Sequence, residues 1–274
     1  MSGCGPTPPQ GPHKIQSRRR RFSDASPSPQ ENAQTDRAGT HTVHAIEPGP
    51  ASNKLLAAVS RDDFTLLQAH LTTVGLEQGT VLCEAGDEVD QVYFPLSGMI
   101  SLVVVMRDGK AIETATVGRE GVFGAMAGLG IHHSRVRAIA QLPMFASCIA
   151  STQLRRAAAS SKAIANLIIR YNETLLAQAR ITAACNALHT VEARFCRWLL
   201  QTRERAESDT IQLTQEFLSE MLGVRRTSVT EVASKIQASG AIRYSRGVIN
   251  IIDLAALKAI SCECYETLLE QTPS

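Results

Sequence analysis

The sequence lacks a long uninterrupted apolar segment. Its 274 residues contain no run of about 18 uncharged apolar residues, the length that a bilayer-spanning helix needs. Met1–Gln10 has no apolar core of the kind found in a secretory signal. We therefore expect a cytoplasmic protein with no membrane partner. Apolar residues make up 44% of the chain, which is typical of a globular protein and sufficient for two domains with separate cores.

The cysteines lack the spacing of a disulfide scaffold. There are seven, an odd number, scattered from Cys4 to Cys264. Because no secretory signal is recognised, we expect reduced thiols. Cys262 and Cys264 resemble a metal or redox pair, but on one helix their side chains would point about 200° apart. We therefore predict a structural or incidental role for them and no metal site.

Catalytic motifs are also missing. The sequence has no Gly-x-Ser-x-Gly turn, no His-Glu-x-x-His pair and no Walker-type phosphate loop. An enzyme is the alternative class, but no nucleophile and base can be paired. His132 and His133 suggest haem or zinc, although adjacent histidines in a loop are more often simply exposed. We expect neither enzymatic activity nor a cofactor.

The net charge is small, +2, and by itself says little about partners. Its distribution is more informative, because five basic residues and one acidic residue lie between Arg225 and Arg246, a local charge of +4. Such an excess is expected at a surface that contacts phosphates. Another basic run, Arg18–Arg21, lies in residues 1–50, whose composition predicts a disordered tail. That run is either an auxiliary phosphate-binding arm or a solubilising segment.

Residues 76–149 have the pattern of short strands punctuated by glycine. In the run Met99–Met106, alternate residues are apolar and share one face. Asp108-Gly109 separates this run from Ala111–Val117. The pair predicts a hairpin with a type I′ turn, because both central positions of that turn need a positive φ. Several strands at this spacing predict a small antiparallel roll or barrel.

After about Ser160 the apolar period becomes helical and continues to about Asn186, which predicts a long amphipathic helix. A stripe of this length after a compact β domain suits a helix–helix interface between subunits, so we predict that it is the homodimer interface. Packing within one subunit is the alternative. The stripe consists of Ile164, Leu167, Ile168, Tyr171 and Leu175.

The C-terminal part has the pattern of a helix-turn-helix. A helix over Val191–Arg203 is followed by a short helix, with Thr214 as N-cap and a stop at Gly223. A second helix, which begins with two arginines and several hydroxyl side chains, follows at once. Two short helices joined by a tight glycine turn form a helix-turn-helix.

Two strands and a helix follow this motif. The strands flank the turn Ser245–Gly247 and predict a wing, in which Arg243 and Arg246 are basic. Asp253 is the predicted N-cap of a final helix that reaches about Tyr265.

A β-roll, a long helix and a winged helix-turn-helix, in that order, resemble the Crp/Fnr family of bacterial transcription regulators. The resemblance implies an α+β fold: an antiparallel, jelly-roll-like sensor domain at residues 51–159, a dimerisation helix at 160–188 and a DNA-binding domain at 189–274. It also implies a homodimer on a two-fold symmetric operator, and RNA polymerase as a further partner. The residues that carry the resemblance are Gly79, Gly86-Asp87, Tyr93-Phe94, Ser97-Gly98, Gly118–Gly124 and Leu213–Gly240.

In this family the second helix of the motif enters the major groove of double-stranded DNA, and its N-terminal residues reach base edges. Members that are well studied have a glutamate at the position of Thr227 and an arginine at that of Glu231, so their operator sequence is not carried over. The residues matched to base contacts are Arg226, Thr227, Thr230 and Glu231. Those matched to phosphates are Arg225, Ser228, Lys235, Arg243 and Arg246.

The resemblance also implies a place for an effector. Members that bind cyclic AMP supply a glutamate for the ribose and an Arg-Ser or Arg-Thr pair for the phosphate. Here Ala125 stands at the position of the glutamate and offers no acceptor for the ribose hydroxyl. His133-Ser134 stands at the position of the pair and offers no planar cation for the phosphate. Arg135 or Arg137 is close enough in sequence to replace the cation, but not the acceptor.

We therefore predict that this protein does not use cyclic AMP in the usual manner, and its effector stays open. Two alternatives remain beside a DNA-binding regulator of this kind. One is a regulator that does respond to a cyclic nucleotide. The other is a ligand- or redox-sensing module that acts through protein partners and has a vestigial helix-turn-helix. The basic wing favours a motif that still binds DNA.

Overall fold

The computed structural model describes residues 49–271. The basic run Arg18–Arg21, Cys4 and nearly all of the predicted tail lie outside the described residues. Within residues 49–271, no helix is both long and apolar enough to cross a membrane.

Two short helices, α1 (Lys54–Ala57) and α2 (Arg61–Gln68), precede the strands. Asn53, the buried N-cap of α1, fixes the first of them to the sheet region. Its side-chain amide donates to the carbonyl oxygens of Pro95 and Gly121, at 3.0 and 2.9 Å. A buried amide satisfied in this way orients the chain where it enters the roll.

The predicted roll consists of two antiparallel sheets. One has the strand order β1-β7-β3 and the other β2-β6-β4-β5. Apolar side chains from both sheets, among them Val92, Phe94 and Ile100, are buried between them. The strands are β1 (Thr72–Leu76), β2 (Val81–Cys83), β3 (Gln91–Pro95), β4 (Ile100–Val105), β5 (Ala111–Val117), β6 (Arg137–Ala140) and β7 (Met144–Ala150).

The β4–β5 hairpin is confirmed, but its predicted turn type is wrong. Only Gly109 in this loop has a positive φ, +83°. The amide of Met106 still donates to the Lys110 carbonyl at 2.7 Å, so three residues, not two, connect the paired positions. A three-residue loop needs one left-handed position after an ordinary turn, and the glycine supplies it.

The long helix is confirmed and extends a little beyond its predicted end. A first helix, α3 (Ser151–Ser160), leads into α4 (Lys162–Leu188), which Ser161 caps by accepting the amide of Ile164 at 3.2 Å. After a short break, α5 (Val191–Ala206) carries the largest buried side chains of the DNA-binding part, Phe195 and Trp198.

The C-terminal part is the predicted winged helix-turn-helix, so the α+β architecture is confirmed. The sequence prediction missed one strand, β8, which pairs with the second strand of the wing. The elements are β8 (Thr210–Gln212), α6 (Gln215–Leu222), α7 (Arg226–Ala238), β9 (Ile242–Ser245), β10 (Val248–Ile251), α8 (Leu254–Ile260) and α9 (Cys264–Glu270).

The final helix predicted to run through Tyr265 is two helices. Ser261, at the end of α8, has an extended backbone with ψ 155°, which ends the helix. Cys262 therefore lies in a break and Cys264 at the start of α9. The angular separation expected for two cysteines on one helix does not apply to this pair, so the reason for excluding a metal site there was wrong.

A buried polar contact joins the roll to the DNA-binding part. Glu113 of β5 accepts hydrogen bonds from the indole Nε1 of Trp198, at 2.9 Å, and from the hydroxyl of Ser101. Burial raises the pKa of Glu113 to about 7, although both hydrogen bonds and the charges of Arg197 and Arg205 act in the opposite direction. The carboxyl group is thus protonated in the folded protein at pH values where it would be ionised in the unfolded chain.

This pKa shift predicts how stability depends on pH. The raised pKa means that the folded chain binds the proton more tightly, so the stabilisation is complete below 4.5 and is lost as the pH rises through about 7. The loss amounts to roughly 3 kcal/mol at most. Glu113→Gln keeps an acceptor for Trp198 without a titratable group. Denaturant unfolding over this pH range should show a fall in stability for the wild type and a smaller fall for the variant; equal slopes would contradict the assignment.

Candidate DNA interface

The two helices of the helix-turn-helix are set by a glycine and a capping threonine. Thr214 caps α6 by accepting the amide of Phe217 at 3.2 Å. Gly223 ends the helix with φ +64°, and its Cβ, if it had one, would lie 2.7 Å from Cδ1 of Ile112 in the roll. A left-handed backbone and this close approach both favour glycine there. The turn is therefore fixed by tertiary contact as well as by local conformation.

The second helix, α7, has one buried and one exposed face. Val229, Ala233 and Ile236 are buried against the rest of the domain. The side chains predicted to contact bases are all exposed on the opposite face, namely Arg226, Thr227, Thr230 and Glu231. The helix starts after Arg225, which makes no side-chain cap, so its first-turn amides are not capped by that residue. A helix N-terminus of this kind favours anions such as phosphate.

The wing has a tight two-residue turn. Arg246 and Gly247 have positive φ values of 50° and 77°, and Ser245 pairs with Val248 across the turn. Two positive φ values in a two-residue hairpin correspond to a type I′ turn. An arginine in this conformation is uncommon, and it places an exposed cation at the tip of the wing.

A concave surface connects the helix and the wing. It encloses about 380 Å³ between the start of α6, the start of α7 and the wing turn. Arg226 and Arg246 both line it, so two cations that are distant in sequence lie on one surface. The other lining residues were not predicted to contact DNA, because loop and cap positions carry no periodic signal: Thr214, Gln215, Tyr244, Ser245 and Gly247.

Other predicted residues lie apart from this surface. Arg225 and Ser228 line a separate groove of about 740 Å³, which α6 and α7 form with the β4–β5 hairpin. Lys235 is exposed but its Nζ contacts the carboxylate of Glu192 in α5. Arg243 is exposed on β9. The structure therefore brings Arg226 and Arg246 to one concave surface, which the other seven predicted residues do not line.

Contacts within the protein already engage some of the polar side chains. Arg226 Nη1 lies 3.7 Å from Glu216 Oε2, and both side chains are well exposed. The Thr230 hydroxyl donates to Gln215 Oε1 at 3.1 Å. Exposed ion pairs contribute little to stability, so these contacts can be exchanged for contacts with a ligand.

The stripe predicted as the homodimer interface lies mainly inside the subunit. Ile164, Ile168 and Tyr171 are buried in the core of the roll. Leu167 and Leu175 are partly buried against the same core. The subunit's own β domain covers the three buried residues, which favours the alternative of packing within one subunit for them.

A second stripe on α4 consists of exposed and half-buried residues. Ile169 and Leu176 have relative exposures of 50% and 40%, which is high for large apolar side chains. They belong to a series with alternating spacings of four and three residues, the repeat of a coiled-coil seam. The series, called the α4 seam below, consists of Ala165, Ile169, Asn172, Leu176, Ala179, Ala183 and Asn186.

The roll contains a cavity of about 260 Å³ beside α4. Ala125 lines it, and no lining residue is acidic. The hydroxyl of Ser134 is engaged by the Val136 carbonyl at 2.6 Å, and Arg137 is held by Glu84 at 2.8 Å. Of the residues considered for a nucleotide phosphate, Arg135 lines the cavity without such a restraint.

Two protein-family models match the chain. Residues 73–161 match the family model of the cyclic nucleotide-binding domain, and residues 193–260 match that of the Crp-like helix-turn-helix domain. The chain matches no curated protein sequence.

Several solved structures share the fold. FixK2 from Bradyrhizobium japonicum is 17% identical with a TM-score of 0.61, over 70% of this chain and 98% of that one. A regulator of the Crp/Fnr family from Thermus thermophilus is 23% identical with a TM-score of 0.58, over 69% and 98%. The c-di-GMP-responsive regulator CLP of Xanthomonas campestris is 17% identical with a TM-score of 0.58, over 70% and 99%.

Proposed function

Because the chain belongs to the Crp/Fnr family of transcription regulators, we propose that it binds a specific operator as a homodimer. The observation that carries this proposal is the shared surface of Arg226 and Arg246. One cation lies at the start of the second helix and the other at the tip of the wing. A duplex seated there would meet a helix in its major groove and a cation beside its backbone. The family consists of regulators, not enzymes.

Sequence is read by the exposed face of α7. The Arg226 guanidinium suits O6 and N7 of guanine, Thr227 and Thr230 suit a base edge or a thymine methyl, and Glu231 suits N4 of cytosine. Arg246 and Arg243 of the wing contact phosphates. Further phosphate contacts come from Arg225 and Ser228. Lys235 adds another when a DNA phosphate replaces Glu192 as the partner of its ammonium group. Phosphate contacts position the protein and base contacts specify the sequence.

A selection of bound sequences from a random duplex pool tests this function. The wild type should enrich a two-fold symmetric site. Arg226→Ala should cost about 1–3 kcal/mol in binding and relax specificity at one base position in each half-site. The side chain is exposed, so the fold should not change. An unchanged preferred site and affinity would show that Arg226 does not enter the groove.

Arg246→Ala is the matched control for a phosphate contact. Alanine keeps a Cβ at the same backbone conformation, so the wing turn gains no new strain. Binding to all sequences should weaken about equally, and the dependence of affinity on salt should become flatter. Loss of affinity for one base sequence alone would contradict the role assigned to the wing.

The α4 seam is the proposed contact between two subunits. Ile169 and Leu176 leave apolar surface exposed, and Ala165, Ala179 and Ala183 permit close approach of a second helix. Two such helices side by side would form a short coiled coil. Placing two DNA-binding domains beside one axis would match a two-fold symmetric operator.

Leu176→Asp and Ile168→Asp distinguish the seam from the buried stripe. Leu176→Asp puts a charge into the proposed seam, so sedimentation should show a monomer. The secondary structure of this variant should be unchanged. Ile168→Asp puts a charge into the roll core and should lower the unfolding temperature. Ala163→Asp, on the exposed face outside the seam, should stay dimeric and stable. A dimeric Leu176→Asp variant would exclude the α4 seam.

We propose that the effector is a small ligand other than a cyclic nucleotide. The match to the cyclic nucleotide-binding domain favours a regulator that responds to a nucleotide, as CLP responds to c-di-GMP. The cavity of this chain argues otherwise. It offers a mainly apolar lining, no carboxylate for a ribose hydroxyl and one unrestrained arginine, Arg135.

Calorimetry with cyclic AMP, cyclic GMP and cyclic di-GMP tests this point. We expect no heat of binding at micromolar ligand and no change in operator affinity. Micromolar binding of any of them, together with tighter operator binding, would overturn the proposal and establish a cyclic-nucleotide-responsive regulator.

A further inference from the structure

Three cysteines and a histidine that lie far apart in sequence meet near the end of the long helix. Cys185 is in the last turn of α4 and His189 is its C-cap, so both lie on one side of the helix end. Cys262 lies in the break after α8, and Cys264 begins α9. One ligand atom from each of the four lies within 4.8 Å of all the others.

The distances suit a single tetrahedral ion. The Sγ atoms of Cys185 and Cys262 are 3.5 Å apart, and Cys264 Sγ is 3.6 Å from His189 Nδ1. Zinc bonds of about 2.3 Å to sulfur and about 2.0–2.1 Å to nitrogen give ligand-to-ligand edges of about 3.5–3.8 Å in a tetrahedron. Two of the six edges thus already have the length expected for such a site, and all of them lie within 4.8 Å.

The surroundings are those of a closed structural metal site. All three cysteines are buried, with Ile181 and Ala193 packed around them. His189 presents Nδ1 to the cysteines, while its Nε2 lies 3.1 Å from Oε1 of Glu263. A carboxylate that accepts from the outer nitrogen leaves the inner one free to bind a metal, which is the usual arrangement around a zinc-bound histidine.

Charge at the site is balanced by buried arginines. Zinc with three thiolates and a neutral histidine carries a net charge of −1. The charge of Arg197 favours the thiolate form of all three cysteines, although the hydrogen bond with Cys185 raises the pKa of Cys262 and burial raises that of Cys264. Arg194 interacts in the same way with two of them and donates to the carbonyl of Leu222 at the end of α6. The Nε atoms of both arginines are buried without a hydrogen-bond partner, so a nearby anionic site would stabilise them.

We propose that Cys185, His189, Cys262 and Cys264 bind one zinc ion. The site has four protein ligands, so it is structural, without an open position for substrate. It ties the end of α4 to the start of α9 and so encloses the winged helix-turn-helix; Cys185 and Cys262 are 77 positions apart in the sequence. A link that closes such a long loop removes conformational freedom mainly from the unfolded chain.

Metal analysis of the full-length protein tests the site independently of DNA binding. Protein purified under reducing conditions should hold one zinc ion per chain. After zinc removal, titration with cobalt alone should saturate at one equivalent and give the visible absorption of a tetrahedral cobalt–thiolate centre. Zinc should displace the cobalt, and either metal should raise the unfolding temperature.

Variants distinguish this site from adventitious binding by thiols. Cys262→Ala should lower the cobalt affinity at least tenfold, whereas Cys83→Ala, at an equally buried cysteine of the roll, should leave it unchanged. Glu263→Ala removes only the partner of His189 and should lower the affinity about 10- to 100-fold. These losses would be absent if the metal bound elsewhere.

Three outcomes would overturn the proposal. The first is reduced wild-type protein that neither retains zinc nor binds one equivalent of cobalt. The second is a Cys262→Ala variant with the cobalt spectrum of the wild type. The third is a Cys185–Cys262 disulfide found by mass spectrometry, with no cobalt site after reduction, which would make the cluster a redox pair instead.

Discussion

The buried contact between Glu113 and Trp198 is the constraint on which the arrangement of the two halves depends. The carboxyl group of Glu113, in a strand of the roll, is buried, and it accepts the hydrogen bond of the buried Trp198 indole from α5. Ile112, the neighbouring residue on β5, lies against Gly223 in the turn of the helix-turn-helix. Any change in how the DNA-binding part sits on the roll must break or repack these contacts. Because a buried polar group without a partner is costly, arrangements in which these contacts are only partly formed are unfavourable.

The long helix α4 contributes to three environments. Ile168 and Tyr171 complete the core of the roll, Ile169 and Leu176 remain exposed along the α4 seam, and Cys185 ends the helix in the cysteine–histidine cluster. Asn172 lines the cavity beside the roll and also lies in the α4 seam. A ligand in that cavity would therefore contact a residue at the proposed subunit interface directly, with no intervening layer of protein.

The candidate DNA surface depends on backbone conformation as much as on charge. Gly223 fixes the angle between α6 and α7, and the left-handed Arg246 puts a cation at the tip of the wing. Residues Thr214 and Tyr244, which fill the space between them, contribute through caps and loop positions. Thr227 and Glu231 differ from the residues found in well-studied members of the family, so the architecture of recognition is shared whereas the base sequence recognised is expected to differ.

Local patterns in the sequence determined the elements and their order: the β4–β5 hairpin, the amphipathic α4, the Thr214 cap and the Gly223 stop depend on residues close together in the chain. Tertiary structure decided which surfaces meet. The period of α4 identifies an apolar side, but the core of a subunit and a neighbouring subunit are equally apolar, so the sequence could not assign Ile168 to the roll. Likewise, Cys262 and Cys264 could not bind one ion if they lay on a single helix, but the break at Ser261 separates them from such a helix. Cys185 joins them only because the last helix of the DNA-binding part packs against the end of α4, and sequence spacing carries no information about a contact formed by packing over such a distance.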